Sequence, residues 1–418
     1  MLKLASALLV AVTLFAPWPA QPESSLQELN RAAKERVHAT ARLPLSASLP
    51  GDVVTIEAAD SGYTPNYLRA FALAPSAAAP FAQLLRSVLL DGALEPETKM
   101  AMGLRIAQAY RSPYIAVHMQ RFLRGSQGGR ELLGVIENGN IESLSPERRL
   151  ALRYAESLNG EVLGVSDAQF RETRAYFSDS QVVELTLTVC FFNYFTRLVE
   201  GMALPVEPWA LDSEWTAPAS TYAAPPARVH LISNGEMQWA VTQAPSPGEA
   251  PRALPNSMRA MYQSPEIAAA WRAYGGATRQ DSAVDRELLL HVSFAVSMAN
   301  GCRYCTLHQV QGLHRLGVKP AKLMQMKKDD SALTPRELTA VIFARKLTED
   351  PMSVTDADFA KLKEQFGGDR GAFDMLLQTS TFAFMNRFTD GLRLPSEDEA
   401  VRIYRETYGQ DFDPVARR

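Results

Sequence analysis

The chain has 418 residues, 46% of them hydrophobic, and a formal net charge of −3. That length suggests two or three domains, and the apolar content is ample for packed cores. Acidic and basic residues are interspersed, so no basic face for a nucleic acid is expected.

Residues 1–20 read as a secretory signal peptide. Lys3 supplies the basic start and Leu4 to Phe15 a short apolar run. Ala16-Pro17-Trp18-Pro19-Ala20 then offers small residues for cleavage, although Trp18 interrupts the ideal pattern. As an uncleaved anchor the run is too short to span a bilayer comfortably. No later stretch is expected to cross a membrane. The expectation is an exported soluble protein, periplasmic if the source is a bacterium.

Residues 21–59 comprise a helix and an extended segment. Ser25 and Glu28 form a capping box ahead of Leu29, Ala32, Ala33 and Val37 at helical spacing. This helix should pack on the surface of the domain after it. Pro44, Pro50 and Gly51 punctuate the extended part.

From about residue 60 the chain repeats itself. Pro65-Asn66-Tyr67-Leu68-Arg69-Ala70 recurs 190 residues later as Pro255-Asn256-Ser257-Met258-Arg259-Ala260. Pro75 recurs as Pro265, Glu97 as Glu287, Arg197 as Arg387 and Gly201 as Gly391. With the offset reduced by one, Leu144-Ser145-Pro146 pairs with Leu333-Thr334-Pro335, and Val165-Ser166-Asp167-Ala168 with Val354-Thr355-Asp356-Ala357. A duplicated domain is expected, at 60–205 and 251–400, with a tail at 401–418. Residues 206–250, rich in proline, alanine and serine, read as a linker, with a short hairpin at 228–242 around Asn234-Gly235.

Both copies read as all-α, with about six helices each. The first copy predicts helices over 98–110, 115–124, 147–158, 167–177 and 180–199. The second predicts them over 286–299, 306–316, 336–349, 356–366 and 371–389. Residues 286–299 are apolar on nearly all sides, so that helix should be buried. Gly317 is placed to end the 306–316 helix, and Thr334 with Glu337 to cap the one after it.

The chemistry concentrates in Asn300-Gly301-Cys302-Arg303-Tyr304-Cys305-Thr306-Leu307-His308. A Cys-x-x-Cys pair at a helix start can cycle between dithiol and disulfide, and the helix N-terminus favours the thiolate. His308, three residues beyond Cys305, shares its helix face, and an imidazole beside a thiol can activate it. A redox dithiol, a structural disulfide or zinc site, and an inert pair are the three readings open for this motif. Haem attachment is excluded, because histidine does not directly follow the second cysteine. In an oxidising compartment the pair would rest as a disulfide unless something reduces it. The first copy carries Ser112 and Ile115 at these positions but keeps Tyr114 and His118.

Ala295-Val296-Ser297-Met298-Ala299-Asn300-Gly301-Cys302-Arg303-Tyr304-Cys305 resembles the active-site helix of the alkylhydroperoxidase and carboxymuconolactone decarboxylase superfamily. Asn386-Arg387 with Gly391-Leu392 resembles that family's closing helix. The resemblance spans both copies, specific in the second and degenerate in the first. It implies an all-α fold in which paired helical domains pack around the site. Family members commonly form trimers of dimers, which implies a homo-oligomer here. It also implies a proton relay of glutamate, histidine and two cysteines. Carried over, Cys305 is the buried activated thiol and Cys302 its exposed partner. His308 lies three residues after the second cysteine where the family has four. The family's glutamate position is Leu290, so Glu287, one turn earlier, is the nearest carboxylate. The decarboxylase branch lacks the cysteine pair.

Among the other candidates, His291 lies four residues after Glu287 and is either a satisfied core histidine or a member of the relay. Glu287 itself is either a relay carboxylate or a structural glutamate, since Glu97 matches it in a copy without cysteines. Tyr304 and Tyr114 read as packing residues, His314 as a surface residue and Cys190 as a buried free thiol. His118 points to a structural use of the shared histidine, such as a hydrogen bond between helices.

The expected activity is that of a thiol-dependent oxidoreductase, a peroxidase or disulfide reductase, with Cys302, Cys305, His308 and Glu287 as its site and His291 as a possible relay. Its partners would be a peroxide or disulfide substrate and a thiol reductant; no cofactor and no metal are expected. The alternative is a scaffold or small-molecule binder in which Cys302–Cys305 is a structural disulfide.

Overall fold

Every element in a computed structural model of the chain, described over residues 24–47, 53, 56, 64–212 and 255–409, is helical. The signal-like run and the hairpin at 228–242 lie outside the described residues. The first part holds α1 (Leu26–Arg36), α2 (Asn66–Ala70), α3 (Pro75–Leu89), α4 (Pro96–Tyr110), α5 (Pro113–Arg124), α6 (Gln127–Glu137), α7 (Pro146–Gly160), α8 (Asp167–Tyr176), α9 (Asp179–Gly201) and α10 (Pro208–Asp212). The second holds α11 (Asn256–Met261), α12 (Pro265–Gln280), α13 (Arg286–Asn300), α14 (Arg303–Arg315), α15 (Pro320–Lys328), α16 (Pro335–Glu349), α17 (Asp356–Gln365), α18 (Asp369–Gly391) and α19 (Asp398–Tyr408).

Local chemistry accounts for the helix boundaries. Proline opens α3, α4, α5, α7, α12, α15 and α16, where its missing N–H costs nothing. Ser25 and Glu28 cap α1 reciprocally, and Thr334 and Glu337 do the same for α16. α4 and α13 both stop on a left-handed residue, Arg111 (φ 56°) and Gly301 (φ 82°). That turn redirects the chain into α5 and α14.

Several elements depart from the sequence reading. α3, α6, α12 and α15 were not anticipated, so there are more helices than about six per copy. Alanine-rich stretches in α3 and α12 blur the helical period, and Gly275-Gly276 inside α12 reads as a breaker. α10 lies within the stretch assigned to the linker. α19 runs across the boundary drawn at 400, and its Ala400, Ile403 and Tyr404 are buried in a cluster with Leu307, Val310 and Leu313 of α14. α9 is long and apolar enough to cross a membrane, which the sequence reading had excluded, but its apolar window is wholly buried. It is the core helix of this fold, apolar on all sides because protein surrounds it.

α9 lies along α18, and α3 lies along α12. One apolar cluster includes residues of both halves. Phe71 meets Phe373 edge-on at 5.4 Å, and Tyr194 meets Trp271 at 6.4 Å. Polar contacts across the join come in matching pairs. Arg197 donates to the Thr348 carbonyl at 2.6 Å and Arg387 to the Asn159 carbonyl at 3.2 Å. Both guanidiniums also donate to the Tyr110 hydroxyl, at 3.3 and 3.1 Å.

The crossing of α9 and α18 depends on a missing side chain. A Cβ at Gly201 would lie 2.5 Å from Leu376 Cδ1, and Leu376 is fully buried. Gly201→Ala is expected to cost about 1–3 kcal/mol through overpacking. Urea unfolding should show this loss, and Leu376→Ala should cost less in the Gly201→Ala background than alone. Additive losses in the double mutant would contradict the contact.

Candidate redox site

The sulfur pair sits at the turn between α13 and α14. The N–H of Cys302 donates to the Ser297 carbonyl at 3.0 Å, closing α13. Its Sγ then caps α14 by accepting the Cys305 N–H at 3.1 Å. α14 therefore starts at Arg303, three residues before the position read from sequence. Both cysteines are free thiols, and both are buried, Cys302 completely and Cys305 to 4% exposure. The resemblance made Cys302 the exposed partner. The structure corrects this, because a side chain that caps α14 from its N-terminus points inward against α18.

α18 supplies two groups that sequence reasoning missed. The Thr389 hydroxyl lies 3.3 Å from each sulfur. The Cys302 thiol donates to Asp390 Oδ1 at 3.3 Å, while Asp390 Oδ2 accepts the Arg303 N–H at 3.1 Å. The first half has a counterpart: the Ser112 hydroxyl donates to Glu200 Oε1 at 2.5 Å, and Ser112 Oγ accepts the Ile115 N–H. The only available signal was this offset, since Glu200 and Asp390 are 190 residues apart.

These neighbours decide the thiol electrostatics. Burial pushes the Cys302 thiol well above its usual pKa, the adjacent Cys305 and the Asp390 carboxylate push the same way, and the Thr389 hydroxyl opposes them. The α14 N-terminus favours a thiolate, but desolvation outweighs it at Cys302.

His308 is turned toward a different partner. Its Nε2 lies 2.6 Å from Glu397 Oε2, just before α19. Glu397 Oε1 accepts the Tyr304 hydroxyl at 2.9 Å and the Asn256 N–H at 2.6 Å. The Tyr304 and His308 rings lie 4.3 Å apart. Among the described residues no hydrogen bond joins His308 to either sulfur. The first half repeats this clamp around Glu207, which binds Tyr114 at 2.7 Å, His118 at 3.1 Å and the Asn66 N–H. The sequence reading set His308 beside Cys305 as its activator. The clamp gives His308 a structural partner instead, and the same tyrosine–histidine–glutamate arrangement stands in the first half, which has no cysteines at the matching positions. Tyr304 and Tyr114 are accordingly more than packing residues.

The clamp makes a pH prediction. Burial raises the Glu397 pKa, but hydrogen bonds from His308, the Asn256 N–H and Tyr304, with the charge of His308, bring it from 4.5 to about 2. The folded pKa lies below the unfolded one, so the unfolded chain binds more protons between these values. The stabilisation is complete above about pH 5 and is lost as pH falls toward 2. With Glu397 30% exposed, it is worth about 1–2 kcal/mol after solvent screening. Urea midpoints measured from pH 2.5 to 6 should fall less steeply on the acid side in Glu397→Gln. Parallel profiles for the two proteins would contradict this assignment.

Residues 265–346 match the model of the carboxymuconolactone decarboxylase family. The match runs from the start of α12 into α16 and includes both cysteines. It supports membership of the alkylhydroperoxidase-like superfamily for this stretch. No curated protein and no solved structure matches the chain.

Glu287 and His291 also lie within the stretch matching the carboxymuconolactone decarboxylase family, but at the other end of α13. At 1.5 Å per residue, Glu287 is roughly 20 Å along the helix from Asn300, beside the sulfurs. A direct proton transfer between Glu287 and a thiol is therefore excluded. Glu287 is paired with Lys322 at 3.4 Å, and Lys322 also binds Glu337 at 2.6 Å. His291 is fully buried near both carboxylates. It is not a satisfied core histidine, because among the described residues neither ring nitrogen makes a hydrogen bond. His314 is exposed and Cys190 is a buried free thiol, as read from sequence.

Proposed function

We propose that this chain is a thiol-dependent oxidoreductase of the peroxidase type, built as a tandem pair of alkylhydroperoxidase-like domains with its chemistry in the second. One observation carries the reading. Two free thiols at a helix start inside the matched stretch share one hydroxyl, Thr389, with the Asp390 carboxylate on Cys302, both supplied by α18 from beyond that stretch. Helices recurring in the same order about 190 residues apart support the duplication, as do the twin clamps on Glu207 and Glu397.

In this reading the Cys305 thiolate attacks the terminal peroxide oxygen. The O–O bond breaks, the alkoxide leaves and takes a proton as alcohol, and Cys305 becomes a sulfenic acid. Cys302 then passes its proton to Asp390 and attacks the Cys305 sulfur. Hydroxide leaves and is protonated to water, and the Cys302–Cys305 disulfide forms. An external dithiol returns two electrons and two protons. Half-buried Phe382, Met385 and Leu394 pack against the sulfur cluster, and such an apolar rim suits an alkyl hydroperoxide. The N-terminal run supports export, and the family resemblance supports a homo-oligomer.

Complete burial of Cys302 favours a second reading, in which a structural disulfide holds a scaffold or binding protein together. Peroxide consumption with a dithiol donor, followed alongside thiol titration in redox buffers, separates the two. Turnover with a readily reduced pair supports the peroxidase. A pair resistant to glutathione, with no peroxide consumed, supports the scaffold and overturns the first reading.

A further inference from the structure

The cluster at the N-terminal end of α13 is a site of its own. Glu287 and His291 lie one turn apart on α13, and Glu337 comes from the first turn of α16. One ligand atom from each residue lies within 4.8 Å of the others. Glu337 is held ready by its capping box. Its Oε2 accepts the Thr334 N–H at 2.8 Å and the Thr334 hydroxyl at 3.0 Å, leaving Oε1 facing inward.

The buried imidazole is the second observation. A neutral histidine carries one N–H and one lone pair. Here Nδ1 faces Glu337 Oε1 at 3.2 Å, and Nε2 faces Glu287 Oε1 at 3.7 Å, with no hydrogen bond at either nitrogen. Both neighbours are acceptors, so in either tautomer one lone pair points at a carboxylate oxygen. A cation between the ring and a carboxylate relieves this, either a second proton on the ring or a metal ion. Burial holds the His291 pKa below its ordinary value and the Lys322 charge adds to that, against Glu337, Glu287 and Asp285.

We propose that Glu287, His291 and Glu337 bind a divalent first-row transition cation, which takes the place between the carboxylates now filled by the Lys322 ammonium. Two carboxylates with one imidazole suit Mn²⁺, Fe²⁺ or Zn²⁺. Glu287 is 43% exposed and Lys322 26%, so the ion reaches the site from solvent and water completes its shell on that side. Lys322 competes with it as an internal cation. The first half has no such site, since Ala101 stands in place of His291 and Arg148 in place of Glu337. One ion among the described residues is the consequence. It joins α13 to α16 at the end remote from the sulfurs, and it is independent of the thiol chemistry.

Mn²⁺ is the probe of choice, because it binds carboxylates and imidazole but takes thiolates poorly. Chelator-treated full-length protein is titrated with MnCl₂ while free Mn²⁺ is followed by electron paramagnetic resonance. One equivalent should bind and raise the thermal midpoint. His291→Ala and Glu337→Gln should each weaken binding by at least about tenfold. Glu287→Gln, on the exposed side, should do the same without risk to folding. Lys322→Met should bind Mn²⁺ more tightly than the wild type. Failure of both the wild type and Lys322→Met to bind would overturn the proposal. So would binding that His291→Ala, Glu337→Gln and Glu287→Gln all leave unchanged.

Discussion

Cys305→Ser is expected to lower peroxide turnover by roughly a thousandfold or more, because a serine hydroxyl cannot replace a thiolate without a strong base. Cys302→Ser should also abolish steady turnover, but by a different route. Cys305 would still be oxidised once and then stop as a sulfenic acid, which a dimedone adduct detected by mass spectrometry would reveal. Cys190→Ala should leave turnover per folded molecule intact. Burial raises the Cys190 thiol well above its usual pKa and keeps it protonated. His118 and His308 hold equivalent clamps, so His118→Ala and His308→Ala should both act chiefly through stability. Full activity in a Cys302→Ser, Cys305→Ser double mutant would remove the redox assignment.

The largest loss of stability is expected at Lys99. Its ammonium, fully buried, pairs with the buried Glu184 carboxylate and donates to the Asp91 carbonyl. Burial pulls the Lys99 pKa below its ordinary value, and the Glu184 charge resists that shift. Glu184 also accepts the Ala93 N–H at 2.6 Å and the Leu94 N–H at 3.3 Å, tying the loop before α4 to α9. Lys99→Met leaves a buried carboxylate with its countercharge gone, at a cost of about 3–5 kcal/mol. Lys99→Met with Glu184→Gln should recover part of this, because no charge is then buried, although the single amide oxygen can keep only one of the two N–H bonds that Oε2 and Oε1 now accept separately. Urea unfolding of the three variants checks it. A double mutant no more stable than Lys99→Met would show that packing, rather than the stranded charge, sets the cost.

Signals carried by neighbouring residues survived into the structure. The capping boxes at Ser25 and Thr334 form as spelled. Proline and serine or threonine mark the starts of α7, α8, α16 and α17 within a residue or two. Gly301 ends α13 and puts Cys302 at a helix start. The missed helices failed for a local reason too: alanine and glycine in α3 and α12 give little periodic contrast.

The sequence by itself determined an all-α chain, the repeating order of its residues and the placing of two cysteines at one helix start. These follow from hydrogen bonds and steric preferences spanning three or four residues. Tertiary structure alone decided the partners. Asp390 and Thr389 reach the sulfurs from α18, Glu397 draws His308 away from Cys305, and Glu337 meets His291 from α16. A helix shows its neighbours a face only after packing has set its rotation and depth, and no spacing along one helix records which carboxylate will arrive from another. The relay expected on α13 and α14 was drawn along the chain, whereas the folded site is assembled across it.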